Sequence, residues 1–258
     1  MMATILILES NTPDMVANGQ AASGGFVQSF AALAPEAGVK ILNPYARAFS
    51  AKELEGVTGV VFTGAGVAWS TDAAEAAPLR RWMEGVLKAG LPVWGSCNGM
   101  QLAAVVLGGA VGASPNGFEV GVARKVQLTE AGAAHAMLAG RRNGFAVPCI
   151  HRDEVQRLPK GAELLAGNAH SPVQAFVYEQ GGARVWATQY HPELAAAGIA
   201  AYLRSKGIFS LHQALAEDLE QAETCEDSAA RLGTSRQALS LQARSTELAN
   251  WLQMLRQD

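Results

Sequence analysis

Between Leu91 and Leu107 the sequence leaves the chain few choices. Leu91-Pro92-Val93-Trp94 reads as a buried strand, Gly95-Ser96-Cys97-Asn98-Gly99 as a sharp turn, and Met100 to Leu107 as an apolar helix. The spacing G-x-C-x-G is the cysteine version of the nucleophile elbow. A side chain presented at a strand-to-helix corner sits in strained backbone, and glycines on either side remove Cβ atoms that would clash. The corner also places the sulfur at a helix N-terminus, where free N–H groups and the macrodipole favour a thiolate. There the Asn98 N–H points to where an oxyanion would develop. The pattern alone admits two readings of Cys97: a nucleophile, or a small buried cysteine in a tight turn. Cys149 and Cys225 lack this context and read as structural.

The elbow sits in an alternation of strands and helices. Thr4 to Leu8 reads as a first strand, Phe26 to Ala37 as a helix and Val39 to Leu42 as a second strand. Val57 to Phe62 is a third strand, closed by Thr63-Gly64-Ala65-Gly66, and Pro78 to Ala89 is a helix with proline in its first turn and Gly90 past its end. Such alternation predicts an α/β domain with a parallel sheet covered on both faces. The second half is richer in strands: Val120 to Leu128, Phe145 to Ile150, Gln174 to Tyr178 and Arg184 to Gln189, with polar turns between them. A helix follows near Leu194 to Ser205. From Leu211 to Asp258 there is no proline, a single glycine, helical apolar spacing and a local excess of acidic residues. Two readings stay open for this stretch: helices docked on the core, or a surface for a partner. The expected organisation is one domain over residues 1–207 and a helical extension over 208–258.

Composition excludes several classes. With 49% hydrophobic and 17% charged residues the chain is not disordered. A net charge of −3 offers neither a nucleic-acid footprint nor a polybasic membrane patch. Ile5-Leu6-Ile7-Leu8 is too short for a signal peptide core and ends at Glu9, and no stretch approaches a membrane span. Three widely spaced cysteines are not a disulfide framework, so a reducing cytoplasm is the expected compartment. No phosphate-cradling glycine motif is present. Gly64-Ala65-Gly66 begins like a dinucleotide fingerprint, but Trp69 stands where the third glycine belongs. No cofactor and no metal are expected.

A thiolate needs a proton donor and acceptor. His191 follows the last predicted strand in His191-Pro192-Glu193, where Glu193 can bond the imidazole and fix its tautomer. The plainer reading is a cap for the following helix. The upstream cysteine elbow shifts the balance to the first.

At this point a resemblance is clear. Gly95-Ser96-Cys97-Asn98-Gly99-Met100-Gln101 resembles the nucleophile motif of class I glutamine amidotransferases, and Ala187-Thr188-Gln189-Tyr190-His191-Pro192-Glu193 resembles their second signature. His151-Arg152-Asp153-Glu154-Val155, with Leu158-Pro159 and Pro172-Val173-Gln174-Ala175-Phe176, is similar to the matching stretch of the GMP-synthetase-like branch. The resemblance covers roughly residues 4 to 205. It implies a three-layer, flavodoxin-like class I amidotransferase fold. It implies a triad of Cys97, His191 and Glu193 that hydrolyses the side-chain amide of glutamine through a thioester. Asn98 and Ala65 would supply the oxyanion-hole N–H groups. Gly64 and Gln101 would line the substrate pocket. His151 and Asp153 would either order a loop beside the glutamine site or satisfy each other at a strand end.

The family often reads Gly-Gly-Pro where this chain has Gly64-Ala65-Gly66; Ala65 keeps its N–H but adds a Cβ. Too little sequence follows His191 for an ATP-pyrophosphatase domain. The expectation is therefore either an amidotransferase that supplies ammonia to a separate synthetase subunit or a standalone hydrolase of another γ-glutamyl amide. A catalytically silent regulatory homologue is a third reading. A cysteine enzyme of a neighbouring α/β family is a fourth, although in those folds the histidine more often follows the cysteine directly, where this chain has Asn98.

Overall fold

Period-two burial sets the architecture. Along the first strand, Ile5 and Ile7 enter one apolar cluster and Leu6 and Leu8 another, and all four are fully buried. A strand buried on both faces must lie inside a sheet covered by helices on each side. The computed structural model describes residues 3–205 and 212–257. Its strands are β1 (Thr4–Leu8), β2 (Gly38–Leu42), β3 (Gly59–Phe62), β4 (Val93–Ser96), β5 (Ala110–Ala113), β6 (Glu119–Leu128), β7 (Phe145–His151), β8 (Asp153–Arg157), β9 (Glu163–Gly167), β10 (Ala175–Gln180) and β11 (Ala183–Thr188). Its helices are α1 (Pro13–Ala17), α2 (Ser23–Leu33), α3 (Ala77–Lys88), α4 (Asn98–Val106), α5 (Glu130–Ala134), α6 (Ala196–Ser205), α7 (Gln213–Gln221), α8 (Glu226–Arg231), α9 (Arg236–Leu239), α10 (Leu241–Arg244) and α11 (Thr246–Gln257).

The main sheet runs β2-β1-β3-β4-β11-β10-β9-β6-β7. Its first five strands are parallel, and the pairs from β11 onward are antiparallel. β5 and β8 form a separate antiparallel pair. On one face α3 and α4 bring Leu79, Trp82, Met83, Val86, Met100 and Leu102 against Leu6, Val60, Phe62 and Val93. On the other, Phe26 and Phe30 of α2 and Leu248, Trp251, Leu252 and Leu255 of α11 pack against Ile5, Val61 and Trp94. A third cluster joins α6, α7, α8 and α9 to Val122 and Ala146 in the antiparallel part. This is the three-layer arrangement expected from the alternation. Among the described residues no helix is long and apolar enough to cross a membrane.

Differences from the expected elements have local causes. Phe26 to Ala37 was the expected helix, but α2 starts at Ser23, where the Glu9 carboxylate accepts the Ser23 N–H at 2.8 Å, and it stops before Pro35. The third strand starts at Gly59 rather than Val57, because the Thr58 hydroxyl exchanges hydrogen bonds with the Thr4 backbone. β5, β8, β9, α1 and α5 lie in stretches that the apolar pattern did not resolve. Residues 206–211 and 258 fall outside the described residues, and so does the expected boundary at 207/208.

Candidate active site

Parallel β4 and β11 are neighbours, with Thr188 in register with Ser96, so their C-terminal ends open side by side. This is where ligands bind in open α/β sheets. It brings together Cys97, just past β4, and the Gln189–Glu193 turn just past β11, although the two are far apart in sequence. β3 delivers the loop Thr63-Gly64-Ala65-Gly66 to the same edge.

Cys97 occupies the corner between β4 and α4 with φ of 50° and ψ of −102°, a left-handed backbone that side chains rarely adopt. Its N–H is held by Thr188 O at 2.7 Å. The glycines at each side are required by space. A Cβ on Gly95 would stand 2.8 Å from the Gly99 carbonyl carbon, and one on Gly99 would overlap Phe62 O. Strain at one non-glycine residue, fixed by close packing on both sides, marks a side chain that the fold is built to present.

Three groups converge on one another. The Cys97 thiol lies 3.6 Å from Ile150 O, and His191 Nε2 lies 3.4 Å from the same carbonyl. His191 Nδ1 bonds Glu193 Oε1 at 2.7 Å, and the Ser96 hydroxyl donates to Glu193 Oε2 at 2.8 Å. Burial works against the His191 imidazolium. The Glu193 carboxylate outweighs it, with help from a hydrogen bond to Cys97, and the imidazole is held well above its ordinary 6.5. The Glu193 carboxylate is thus filled on both oxygens, while its backbone oxygen accepts from Ser29 at 3.3 Å. Cys97 is buried, with 7% of its residue surface exposed.

Gly64 closes the site from the β3 side. A Cβ there would meet His191 Cε1 at 2.8 Å and Cys97 Cβ at 3.8 Å. The loop is pinned on both sides of Ala65: the Thr63 hydroxyl donates to Gly64 O at 2.9 Å, and the Gly66 N–H donates to Asn11 Oδ1 at 2.7 Å. The Asn98 N–H belongs to the first turn of α4, whose donors have no intrahelical acceptor.

The remaining predicted residues sit behind or beside this centre. Gln101 is buried and donates from Nε2 to Asp153 O at 2.7 Å and to Gln189 Oε1 at 3.2 Å. His151 bonds Asp153 O through Nδ1 at 3.0 Å and Glu119 Oε2 through Nε2 at 2.9 Å. The Asp153 carboxylate is bonded by Arg152 at 2.8 and 3.0 Å. Both side chains thus have partners other than Cys97. Glu119, Cys149 and His151 place possible metal-ligand atoms within 4.8 Å of one another. The Glu119 carboxylate, however, also accepts from Gln174 and Asn168 at 2.6 Å each, so the group reads as a filled hydrogen-bond network. His151, with Asn168 and Gln174, overcomes the burial and holds Glu119 below the usual carboxylate value, while burial and Glu119 push the Cys149 thiol well up.

Three participants escaped the sequence reading. Ser96 lay inside the recognised motif but had no assigned task. Ile150 acts through its backbone carbonyl, which no side-chain pattern reveals. Glu119 is distant from His151 in sequence and meets it only through the pairing of β6 with β7.

The family model for class-I glutamine amidotransferase matches residues 22–205. The chain belongs to that family. Within it, a γ-glutamyl-L-1-hydroxyisopropylamide hydrolase from Pseudomonas sp. is 38% identical over 138 residues, covering 52% of this chain and 46% of the relative. The glutamine-hydrolysing GMP synthase of Thermomicrobium roseum is 36% identical over 154 residues, covering 60% of this chain and 27% of the relative. The chain thus spans less than half the length of these curated relatives. The fold is similar to that of a glutamine amidotransferase from Thermotoga maritima, with a TM-score of 0.75 at 18% identity over the whole of both chains. A glutamine amidotransferase from Methylobacillus flagellatus gives a TM-score of 0.64 at 19% identity, covering 99% of this chain and 92% of that one.

Proposed function

We propose that this class I amidotransferase hydrolyses the side-chain amide of glutamine or a related γ-glutamyl amide, with Cys97 as nucleophile, His191 as acid and base, and Glu193 as the group that orients His191. The carrying observation is that the Cys97 sulfur and His191 Nε2 face the same Ile150 carbonyl oxygen at 3.6 and 3.4 Å, with His191 Nδ1 bonded to Glu193, at a strained elbow. The thiolate attacks the amide carbon and the carbonyl π pair moves to oxygen. The N–H groups of Asn98 and Ala65 hold that oxyanion; losing one such donor commonly lowers the rate by about 10² to 10³. His191 gives its proton to the leaving nitrogen, the C–N bond breaks, and ammonia or an amine departs. The neutral imidazole then takes a proton from water, whose oxygen attacks the thioester and releases glutamate and the thiolate. Gly64, Gln101, His151 and Asp153 shape the substrate pocket in this reading, Gly64 by leaving room beside the ring and the others by fixing its wall.

Residues 1–207 form the amidotransferase domain in this reading and 208–258 its helical extension, in a cytoplasmic protein. For the substrate, the GMP synthase relatives favour glutamine, with ammonia passed to a separate synthetase subunit. The γ-glutamyl amide hydrolase relative favours a second reading, direct hydrolysis of an N-alkyl γ-glutamyl amide. Purified protein assayed for glutamate release from glutamine and from γ-glutamyl-isopropylamide decides between them by kcat/KM. Cys97→Ala should abolish release from either. Equal release by the variant and the parent protein would overturn the proposal.

A further inference from the structure

His191 is flanked by two residues that the C-terminal helices hold. On one side, the Tyr190 hydroxyl donates to Glu247 Oε1 at 2.7 Å, and both side chains are fully buried. On the other, the Ser245 hydroxyl donates to Pro192 O at 2.9 Å, and Ser245 is fully buried too. Glu247 is itself fixed. Arg141 grips it in a fork, Nε to Oε1 and Nη2 to Oε2 at 2.7 Å each, and donates from Nη2 to Arg244 O at 2.9 Å. The Arg141 guanidinium lies 4.7 Å over the Phe145 ring, which meets Tyr190 edge-on. Between the two clamps, the His191 N–H is held by Pro148 O at 2.8 Å. Three consecutive residues of the turn are thereby tied from outside it, two of them to the start of α11 and the residue before it. A fold-stabilising role for α11 needs only its apolar face, which Trp251, Leu252 and Leu255 supply. Two buried polar side chains aimed at the residues either side of one histidine are not needed for packing, and burying them is costly unless each is satisfied.

We propose that Ser245 and Glu247 are positioning residues for the amide hydrolysis, holding His191 at the distance and angle at which it meets Cys97. The proposal rests on the acid–base role of His191 given above. It makes the C-terminal helices part of the catalytic apparatus without any of their atoms touching substrate.

The test avoids Glu247→Gln as sole evidence, because that variant disrupts the buried Arg141 fork and can fail to fold. Tyr190→Phe deletes one hydroxyl and leaves Arg141 and Glu247 paired; Ser245→Ala deletes the other. The double variant Tyr190→Phe/Ser245→Ala is compared with the full-length parent, both carrying Cys225→Ser so that Cys97 is the reactive thiol. Glutamate release gives kcat and KM, iodoacetamide alkylation gives the pH profile of Cys97, and thermal melting checks folding. A displacement near 1 Å costs about a hundredfold in rate, so the smaller loosening expected here lowers kcat about tenfold. KM should stay within about twofold, since no substrate contact is removed. The alkylation profile should also shift, and Ser245→Thr, which keeps a hydroxyl, should stay close to the parent. A folded double variant with parental kcat and parental alkylation profile overturns the proposal. A parent that hydrolyses neither amide sinks the functional reading instead, and the alkylation profiles, which need no substrate, still decide whether the clamp governs the Cys97–His191 pair.

Discussion

Gly64→Ala is the sharpest probe of the site because its consequence can be read from the geometry. The backbone at Gly64 is not left-handed, so alanine adds no conformational strain. What it adds is one carbon 2.8 Å from His191 Cε1, where ordinary contact begins at 3.4 Å. The ring must withdraw by roughly 0.6 Å to restore van der Waals separation. It has little freedom to do so, because Nδ1 is tied to Glu193 at 2.7 Å and the backbone N–H to Pro148. A misplacement of about 1 Å costs on the order of a hundredfold, so kcat should fall between about tenfold and a hundredfold. Overpacking costs about 1–3 kcal/mol, enough to lower the melting temperature without preventing folding. The assay is steady-state glutamate release with a thermal melt on the same sample. Gly24→Ala, where an added Cβ meets nothing within 4 Å, controls for glycine substitution as such. A Gly64→Ala protein with parental kcat would refute the placement of His191 against this loop.

Ser96→Ala removes a fully buried hydroxyl from Glu193 Oε2; a hydrogen bond to a charged group is worth about 1.5–3 kcal/mol, so a urea melt should show a loss of that order together with lowered kcat. Glu193→Gln tests the charge itself. Because His191 is raised above 6.5 when folded, the stability it contributes is complete below that value and is lost as pH rises through the folded pKa. Urea melts from about pH 6 to about pH 9 should show the parent weakening with rising pH and the variant with a flatter profile. Gly99→Ala drives a Cβ into the Phe62 carbonyl, which is backbone and cannot turn aside, so soluble yield and melting temperature should both drop sharply.

The elbow and the His-Pro-Glu turn were legible in the sequence because each rests on residues close together in the chain. Gly95 and Gly99 are required by contacts within a few residues or with the adjoining strand, and Glu193 reaches His191 across a single proline. The sheet was legible where strands are buried on both faces, as at β1 and β3. It was less legible at β9, whose Glu163–Gly167 sequence mixes charged, apolar and small residues and gains its pairing from β10 and β6. His151 shows the same limit at a side chain. Its fate depends on Glu119, which the pairing of β6 with β7 brings across from it, and no local pattern encodes that register. Ser245 and Glu247 lie still further off. Their sequence context is an ordinary amphipathic helix start, and only packing reveals what they hold.

The fates of the three sulfur atoms differ, and this governs how the molecule responds to thiol reagents and oxidants. Cys149 is sealed under Glu119, so an electrophile reaches it only when the protein opens. Cys225 lies at the start of α8, partly exposed and with its ionisation eased by the Ser228 N–H. A dye titration of native protein should therefore count two sulfurs and recover the third only in denaturant. Loss of activity on mild oxidation should track the sulfur at the elbow, while the Cys225 sulfur is consumed alongside it without consequence.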